Sequence, residues 1–374
     1  VSGITLTENQ QSVLEDARNW DGKKLTIGGY AGTGKTSLIK EMLKDEHYKE
    51  WAVASFTGKA VEVLRTKGID RAQTIHNLMY HVIMSKKDIE FKRAQSLGRA
   101  GVIIDEASMV DLVLYRDLVK FKLPIIWVGD MGQLEPIGDD PRLMHDPDLK
   151  LTQIHRQALE SPIIRLSMLI RQGESMSAWR AEADDVELSI RRQNEGTYQR
   201  MVEFAAREGT MVICGFNRTR TDVNKGARRI RGYSGPVSKG DKMICLANES
   251  QHCVFNGMVG IVVDEPEHLG GHTYSLQIAV QGEEKPRCMT CDLGPIIDPK
   301  FDKKKWLYEA MERRKDGGND LTLWDHAYAI TCHKAQGSEA DEVAVWDQQC
   351  ELWDSVRWRY TAVTRARKKL VYCV

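Results

Sequence analysis

Gly29-Tyr30-Ala31-Gly32-Thr33-Gly34-Lys35-Thr36 has the spacing GxxxxGK[ST], and its residue types suit one task, holding a triphosphate. Backbone N–H groups from Gly29, Ala31, Gly32, Thr33 and Gly34 can close round a β-phosphate, because residues without bulky side chains let the chain approach the anion. Lys35 adds a cationic charge toward the β- and γ-phosphates, and the Thr36 hydroxyl is a ligand for Mg2+. A glycine-rich turn with no ligand is the plainer reading. The context opposes it, since Leu25-Thr26-Ile27 reads as a short buried strand and Ser37 to Leu43 as a helix with Leu38, Met42 and Leu43 on one face.

Asp105-Glu106 ends a second apolar run, Val102-Ile103-Ile104, roughly 70 residues further on. Phosphoryl transfer needs two different carboxylates there. Asp105 at the strand end can hold the water shell of the magnesium that Thr36 also touches, and Glu106 can orient and deprotonate the attacking water. Gly129-Asp130-Met131-Gly132-Gln133-Leu134 repeats the pattern after Ile125 to Val128. The carboxyl ends of neighbouring parallel strands line one crevice, which would bring Gln133 within reach of a γ-phosphate. A simple turn would also explain that segment.

These groups need a scaffold to hold them. Thr7-Glu8-Asn9-Gln10 reads as a capping box opening a helix with Val13, Leu14 and Ala17 as its apolar stripe. Ala52 to Ser55 is a further strand, leading into Phe56-Thr57-Gly58-Lys59 and a helix from Ala60 to Arg65. Strands alternating with helices at this spacing predict an α/β fold with a parallel sheet. A second alternation begins near Leu151, with a helix from Ser161 to Ile170 and a strand from Met211 to Cys214. From Pro236 to about Leu293 the pattern turns into short β-rich runs: Lys242 to Ala247, Val259 to Val263, Tyr274 to Val280 and Arg287 to Asp292. A small antiparallel barrel inserted into the second α/β domain accounts for them. The α/β pattern resumes at Tyr328 to Thr331, Glu342 to Trp346 and Leu370 to Cys373.

With 374 residues, two or three domains are expected. Formal net charge is zero, so bulk electrostatics neither indicates nor excludes a nucleic-acid partner. The cationic runs Lys303 to Trp306 and Arg228 to Arg231 read more readily as solvated faces than as phosphate tracks. No stretch is long enough to span a bilayer, and no charged leader with an apolar core precedes the first helix. Eight cysteines scattered among 28% charged residues fit reduced thiols, so a cytoplasmic protein is expected. Cys288 and Cys291 form a lone CxxC that Cys245, His252 and Cys253 could complete as a zinc site, although cysteines packed within a barrel strand explain it more simply.

Taken in order, the motifs resemble those of superfamily 1 helicases, in the Dda-like and RecD-like branch that moves 5′ to 3′ on single-stranded DNA. The resemblance is carried by Leu6-Thr7-Glu8-Asn9-Gln10, the phosphate loop, Phe56-Thr57-Gly58-Lys59-Ala60, Thr74-Ile75-His76 and Ile104 to Met109. It continues through Gly129 to Gln133, Leu151-Thr152-Gln153-Ile154-His155-Arg156, Thr331 to Gly337 and Tyr360 to Ala366. The blocks run from near residue 6 to near residue 370.

That resemblance implies two RecA-like parallel-sheet P-loop domains: residues 1–150, with a short wedge insert at 78–100, and residues 151–232 joined to 323–374. An SH3-like β-barrel and charged arm at 233–322 would be inserted in the second. It implies an ATP-dependent DNA helicase, with ATP and Mg2+ as cofactors, serving replication, recombination or repair. Gln10 resembles the glutamine that reads the adenine edge, a role compatible with its place in the capping box. Arg156 and Arg365 resemble arginines that reach the γ-phosphate across an interdomain cleft. Gln336, Gly337 and Glu339 resemble the motif coupling nucleotide contacts to DNA contacts.

Thr57, Lys59, Thr74, His76, Thr331, His333 and Lys334 match positions that grip the phosphodiester backbone. The implied partners are single-stranded DNA and its junctions with duplex, with single-strand-binding or replication proteins as further candidates. A monomer with no membrane association is expected. Glu135-Pro136 departs from the two prolines the family often has. In the short wedge segment, Met79, Tyr80 and Phe91 are candidates for a tip, with core packing the plainer reading. Trp324, Trp353, Trp358 and Tyr360 are candidate platforms for base stacking. A translocase that displaces proteins or acts on RNA without separating strands, and a nucleotide switch, are the alternatives.

Overall fold

The computed structural model describes residues 6–374 apart from 85–88, 137, 182–185, 248–253, 255, 281–282, 284 and 316–320; the side chains of 81–84, 89–92, 156–157, 176–177, 181, 311 and 314–315 also lie outside the description. The chain forms two compact units. One comprises residues 1–79, 94–193 and 335–374, and the other residues 80–93 and 194–334.

In the first unit six strands run parallel in the order Gln73–Thr74, Ala52–Ser55, Val102–Asp105, Ile125–Gly129, Lys24–Gly29, Leu149–Leu151. Every residue of Ala52–Ser55, Val102–Asp105 and Ile125–Gly129 is buried, as expected of strands covered on both faces. The capping box forms as read: Gln10 N donates to Thr7 Oγ1 at 3.2 Å and Thr7 N to Gln10 Oε1 at 3.0 Å. Val13, Leu14 and Ala17 then pack with Leu25, Ile27, Leu38 and Met42 in one core, with Leu43 at its margin. Burying a leucine or methionine side chain in this way contributes about 1.5–3 kcal/mol. Three more strands of this unit, Ala340–Trp346, Ala366–Cys373 and Leu188–Arg191, are also parallel.

The second unit contains the parallel pair Thr210–Cys214 and Ala329–Thr331 and a closed β-ring. The ring runs Val259–Val262, Lys242–Cys245, Thr322–His326, Arg287–Asp292, Thr273–Val280 and back to Val259–Val262, with Glu267–Gly270 paired outside it. Closure leaves few edges for another chain to pair with. It is not wholly antiparallel: Arg287–Asp292 and Thr322–His326 run the same way. Residues 293–321 separate those two strands, long enough for the crossover a parallel pair requires. Val237, Met243, Val262, Ile278 and Trp324 fill the interior together with Cys245 and Cys291.

Both thiols are used inside the ring, Cys245 Sγ donating to Ala247 O and Thr322 Oγ1 to Cys291 Sγ. Cys288 is exposed on the same strand as Cys291. His252 and Cys253 lie outside the described residues. Arg228 belongs to neither a solvated face nor a phosphate track. It is buried, with Nε 2.9 Å from Asp241 Oδ1, and Tyr328 OH donates to the same oxygen at 2.8 Å. Of the other basic run, Lys304 and Lys305 are exposed, while Trp306 is buried and its Nε1 donates to Asp292 Oδ2 at 2.8 Å.

The segment read as a wedge is a hairpin of Tyr80–Met84 and Ile89–Arg93. Met79, just before it, is a core residue with no exposure, and the Phe91 side chain lies outside the described residues.

Candidate nucleotide site

The phosphate loop leaves the strand Lys24–Gly29 and enters the helix Lys35–Met42. Gly34 caps that helix with a left-handed backbone (φ +77°) and no side chain on the terminal N–H groups, which stay available for an anion. A Cβ at Gly34 would also collide with Gln10 Nε2 and His155 Nε2, so only glycine fits. Gln10, almost fully buried, donates through Nε2 to Thr33 O at 3.1 Å and Gly34 O at 3.3 Å, and lies 3.0 Å from His155 Nε2. His155 N donates to Gly32 O at 3.0 Å. Gln10 and His155 therefore brace the loop from behind. Lys35 Nζ lies within the loop's arc, donating to Gly29 O at 2.9 Å, Tyr30 O at 3.0 Å and Asp130 Oδ2 at 3.3 Å.

Asp105 and Glu106 stand at the end of Val102–Asp105, two strands from the loop in the same sheet. Glu106 takes a left-handed backbone (φ +55°), which costs a residue with a Cβ about 1–2 kcal/mol and turns its side chain away from the strand's direction. Its Oε2 is enclosed and has no hydrogen-bond partner. Burial, and after it the Asp105 carboxylate, push Glu106 up to about 7 against the opposing pull of Arg365 and Lys35. Burial also raises Asp105, with Lys35 again acting in the other direction. A carboxyl tuned toward neutrality in an enclosed site matches the demands on a general base.

Asp130 and Gln133 follow the adjacent strand and are both buried. Gln133 Oε1 is enclosed without a partner. Asp130 is a site residue that the motif reading did not single out: its Oδ1 accepts from Gly132 N at 2.9 Å, and its Oδ2 from Tyr360 OH at 2.9 Å as well as from Lys35. The same Tyr360 hydroxyl accepts from Ala31 N at 2.7 Å. Tyr360 is thus a strut of the nucleotide site, and a base platform it cannot be, because it is 1% exposed. Trp324 and Trp358 are likewise enclosed, which leaves half-buried Trp353 from that group.

Arg365 is buried, its guanidinium donating to Thr361 O at 3.0 Å, to Ser338 O at 3.4 Å and to Thr364 Oγ1 at 3.1 Å. It is close enough to stabilise the Glu106 carboxylate. Arg156 opens a short helix, Arg156–Leu159, directly after His155, and its side chain lies outside the described residues. Gln336 Nε2 donates to Leu134 O at 2.7 Å, and Thr361 Oγ1 accepts from Leu134 N at 2.9 Å. The residue after Gln133 is therefore held from both sides.

Among the candidate DNA residues of the first unit, Thr57 Oγ1 caps its helix by accepting from Ala60 N at 3.1 Å and donates to Gly337 O at 3.3 Å. Lys59 Nζ donates to Glu339 O. Burial lowers the Lys59 ammonium to about 8. Thr74 Oγ1 accepts from Asn77 N at 3.1 Å, and burial lowers His76. In the second unit Thr331 ends the strand Ala329–Thr331, and His333 and Lys334 lie in the turn of helix after it. Burial lowers His333, and it lowers Lys334 to about 8, with Arg220 acting in the same sense.

A triphosphate loop, an acidic pair on a buried parallel strand and the buried Arg365 define a P-loop nucleotide-binding fold. The AAA domain profile matches residues 5–193, and that of the UvrD-like helicase C-terminal domain matches residues 326–373. The chain belongs to the AAA domain family, and the two profiles together with its helicase relatives make it a superfamily 1 helicase of the Dda-like and RecD-like branch.

It is similar to the ATP-dependent RecD2 DNA helicase of Deinococcus radiodurans, 26% identical over 97% of this chain and 48% of that protein. It is also similar to the ATP-dependent DNA helicase dda of Enterobacteria phage T4, 29% identical over 45% of this chain and 43% of that one. A Pif1 helicase from Bacteroides, solved in complex with ADP-AlF3 and ssDNA, shares the fold: TM-score 0.56 at 18% identity, covering 99% of this chain and 92% of that one. The architecture is thus α/β, with two RecA-like parallel-sheet parts, a hairpin insert and a barrel insert. The chain spans between about a third and a half of the length of the first curated relatives it matches.

Proposed function

We propose that this chain is an ATP-dependent DNA helicase that moves 5′ to 3′ on single-stranded DNA and separates duplex, driven by hydrolysis between its two RecA-like domains. The observation that carries the reading is the pair of enclosed, unpartnered oxygens, Glu106 Oε2 and Gln133 Oε1, on neighbouring strand ends beside Lys35 and Arg365. A fold that leaves buried acceptors unsatisfied accepts a cost of about 1–3 kcal/mol each. A water donating to these two oxygens accounts for that cost, and leaves the Gln133 Nε2 amide free to donate to a terminal phosphate oxygen.

In this mechanism the loop N–H groups and Lys35 bind the β- and γ-phosphates of ATP. The hard oxygen donors Thr36 and Asp105 suit Mg2+, which when bound would neutralise charge on the phosphate oxygens. Glu106 Oε2 takes the proton of the attacking water, and Gln133 orients that water or the γ-phosphate. Arg365, with Arg156 as its partner finger, stabilises the charge that spreads over the transferring group. Gln336, Gly337 and Glu339 pass the change to Thr57 and Lys59, which with Thr74, His76, Thr331, His333 and Lys334 hold the DNA backbone. Gln10 reads the adenine edge by exchanging its present partners.

The domains we propose are 1–150 with the insert at 78–100, 151–232 with 323–374, and 233–322. A cytoplasmic monomer acting at junctions of single and double strands is part of the same reading. No described helix is long and apolar enough to cross a membrane.

The test is ATP turnover with and without single-stranded DNA. Strong stimulation is expected, with Glu106→Gln lowering turnover by about 10²–10⁴-fold while nucleotide and strand binding persist. Lys35→Ala should abolish turnover. Unstimulated turnover, or turnover retained in Glu106→Gln, would remove the proposal.

A further inference from the structure

Just after Gln133 the chain assembles a donor set that the nucleotide chemistry does not use. His145 Nε2 lies 2.8 Å from Asp140 Oδ2 and 3.1 Å from Glu135 Oε1, and the three ligand atoms are all within 4.8 Å of one another. Imidazole with two carboxylates is a nitrogen and oxygen set that suits a divalent transition cation such as zinc. An ion about 2.0–2.2 Å from each donor needs them roughly 3–3.5 Å apart, so small side-chain rotations complete the geometry.

The backbone turns sharply between Asp140 and His145. Arg142 adopts a left-handed conformation (φ +59°), costly for a residue with a Cβ, and Arg142 N donates to Asp140 Oδ1 at 2.7 Å. That turn leaves Oδ2 facing His145. A second observation points to a ligand: Ser108 Oγ, more than nine-tenths buried and without a partner, lines the same cleft as Glu135, Asp140 and His145. A metal-bound water would be positioned to satisfy such a group.

We infer that Glu135, Asp140 and His145 bind a zinc-class divalent cation that clips the Gln133 loop to the segment 140–145. The proton now shared by His145 Nε2 with the carboxylates goes to Nδ1 or to solvent when Nε2 turns to the metal. Arg142, 3.5 Å from Nδ1, and Arg357, 3.6 Å from Glu135 Oε1, swing outward. Arg357 is the competitor for Glu135. Cation binding is measured without nucleotide or DNA, so it stands apart from the proposed function.

The experiment is titration of the whole chelator-stripped chain with Co2+, followed by visible absorption, then displacement by Zn2+. We expect one equivalent per chain, a rise in melting temperature, and at least tenfold weaker binding in both His145→Gln and Asp140→Asn. Circular dichroism of the metal-free variants must match the metal-free parent, which separates lost ligands from lost folding. Absence of uptake would overturn the assignment. So would uptake unchanged in both variants, or uptake lost in Asp105→Asn and kept in His145→Gln, which would place the ion at the nucleotide site instead.

Discussion

Tyr360 hydroxyl bridges the phosphate loop and the strand-end aspartate, donating to Asp130 Oδ2 and accepting from Ala31 N. Hydrogen bonds involving a charged partner contribute about 1.5–3 kcal/mol, and both would be lost in Tyr360→Phe with almost no change in volume. We expect kcat/KM for ATP to fall at least tenfold while the chain melts within a few degrees of the parent; unchanged kcat/KM would show the strut to be idle. The sequence reading missed this role for a physical reason. Gly29 to Thr36 is legible because its chemistry is compressed into eight adjacent residues, whereas Tyr360 and Asp130 are 230 positions apart and meet only through the fold. Asp105-Glu106 is legible as a pair, but the left-handed turn that separates the two carboxylates is not. Glu135, Asp140 and His145 have no metal spacing that a linear motif would flag.

Among the elements, Lys24–Gly29, Ala52–Ser55, Val102–Asp105 and Ile125–Gly129 of the first unit are legible as continuous apolar runs, and most barrel strands from their turns. The strands Gln73–Thr74, Leu149–Leu151, Leu188–Arg191, Glu267–Gly270 and Thr322–His326 are not. Glu267–Gly270 is exposed throughout, so no burial pattern marks it. Thr322–His326 is buried throughout, so it lacks the alternation of a half-exposed strand. The Arg228 to Arg231 run misled because charge in sequence says nothing of pairing. Arg228 sits on the helix Asn217–Ile230 and meets Asp241, which is fully buried just ahead of the barrel strand Lys242–Cys245. Breaking a buried pair strands the other charge, at about 3–5 kcal/mol. Asp241→Ala should therefore cost this much in denaturant unfolding of the second unit, and a loss under 1 kcal/mol would mean that Arg228 finds water or another partner.

For the whole molecule, family membership and fold leave direction of travel to experiment. A duplex with a 5′ single-stranded tail should be unwound in preference to one with a 3′ tail; the reverse preference would overturn the proposed polarity, and displacement of bound protein without strand separation would favour a translocase.

The helix Ser355–Val363 carries more than its nine residues suggest. Through Tyr360 it touches Ala31 and Asp130, through Thr361 it holds Leu134, and its last turn leads into Arg365. The phosphate loop, the residue after Gln133 and Arg365 therefore hang on one rod. In the proposed mechanism, phosphate release, water positioning and charge relief would then share one displacement, so a single rigid rotation would set the clock for all three.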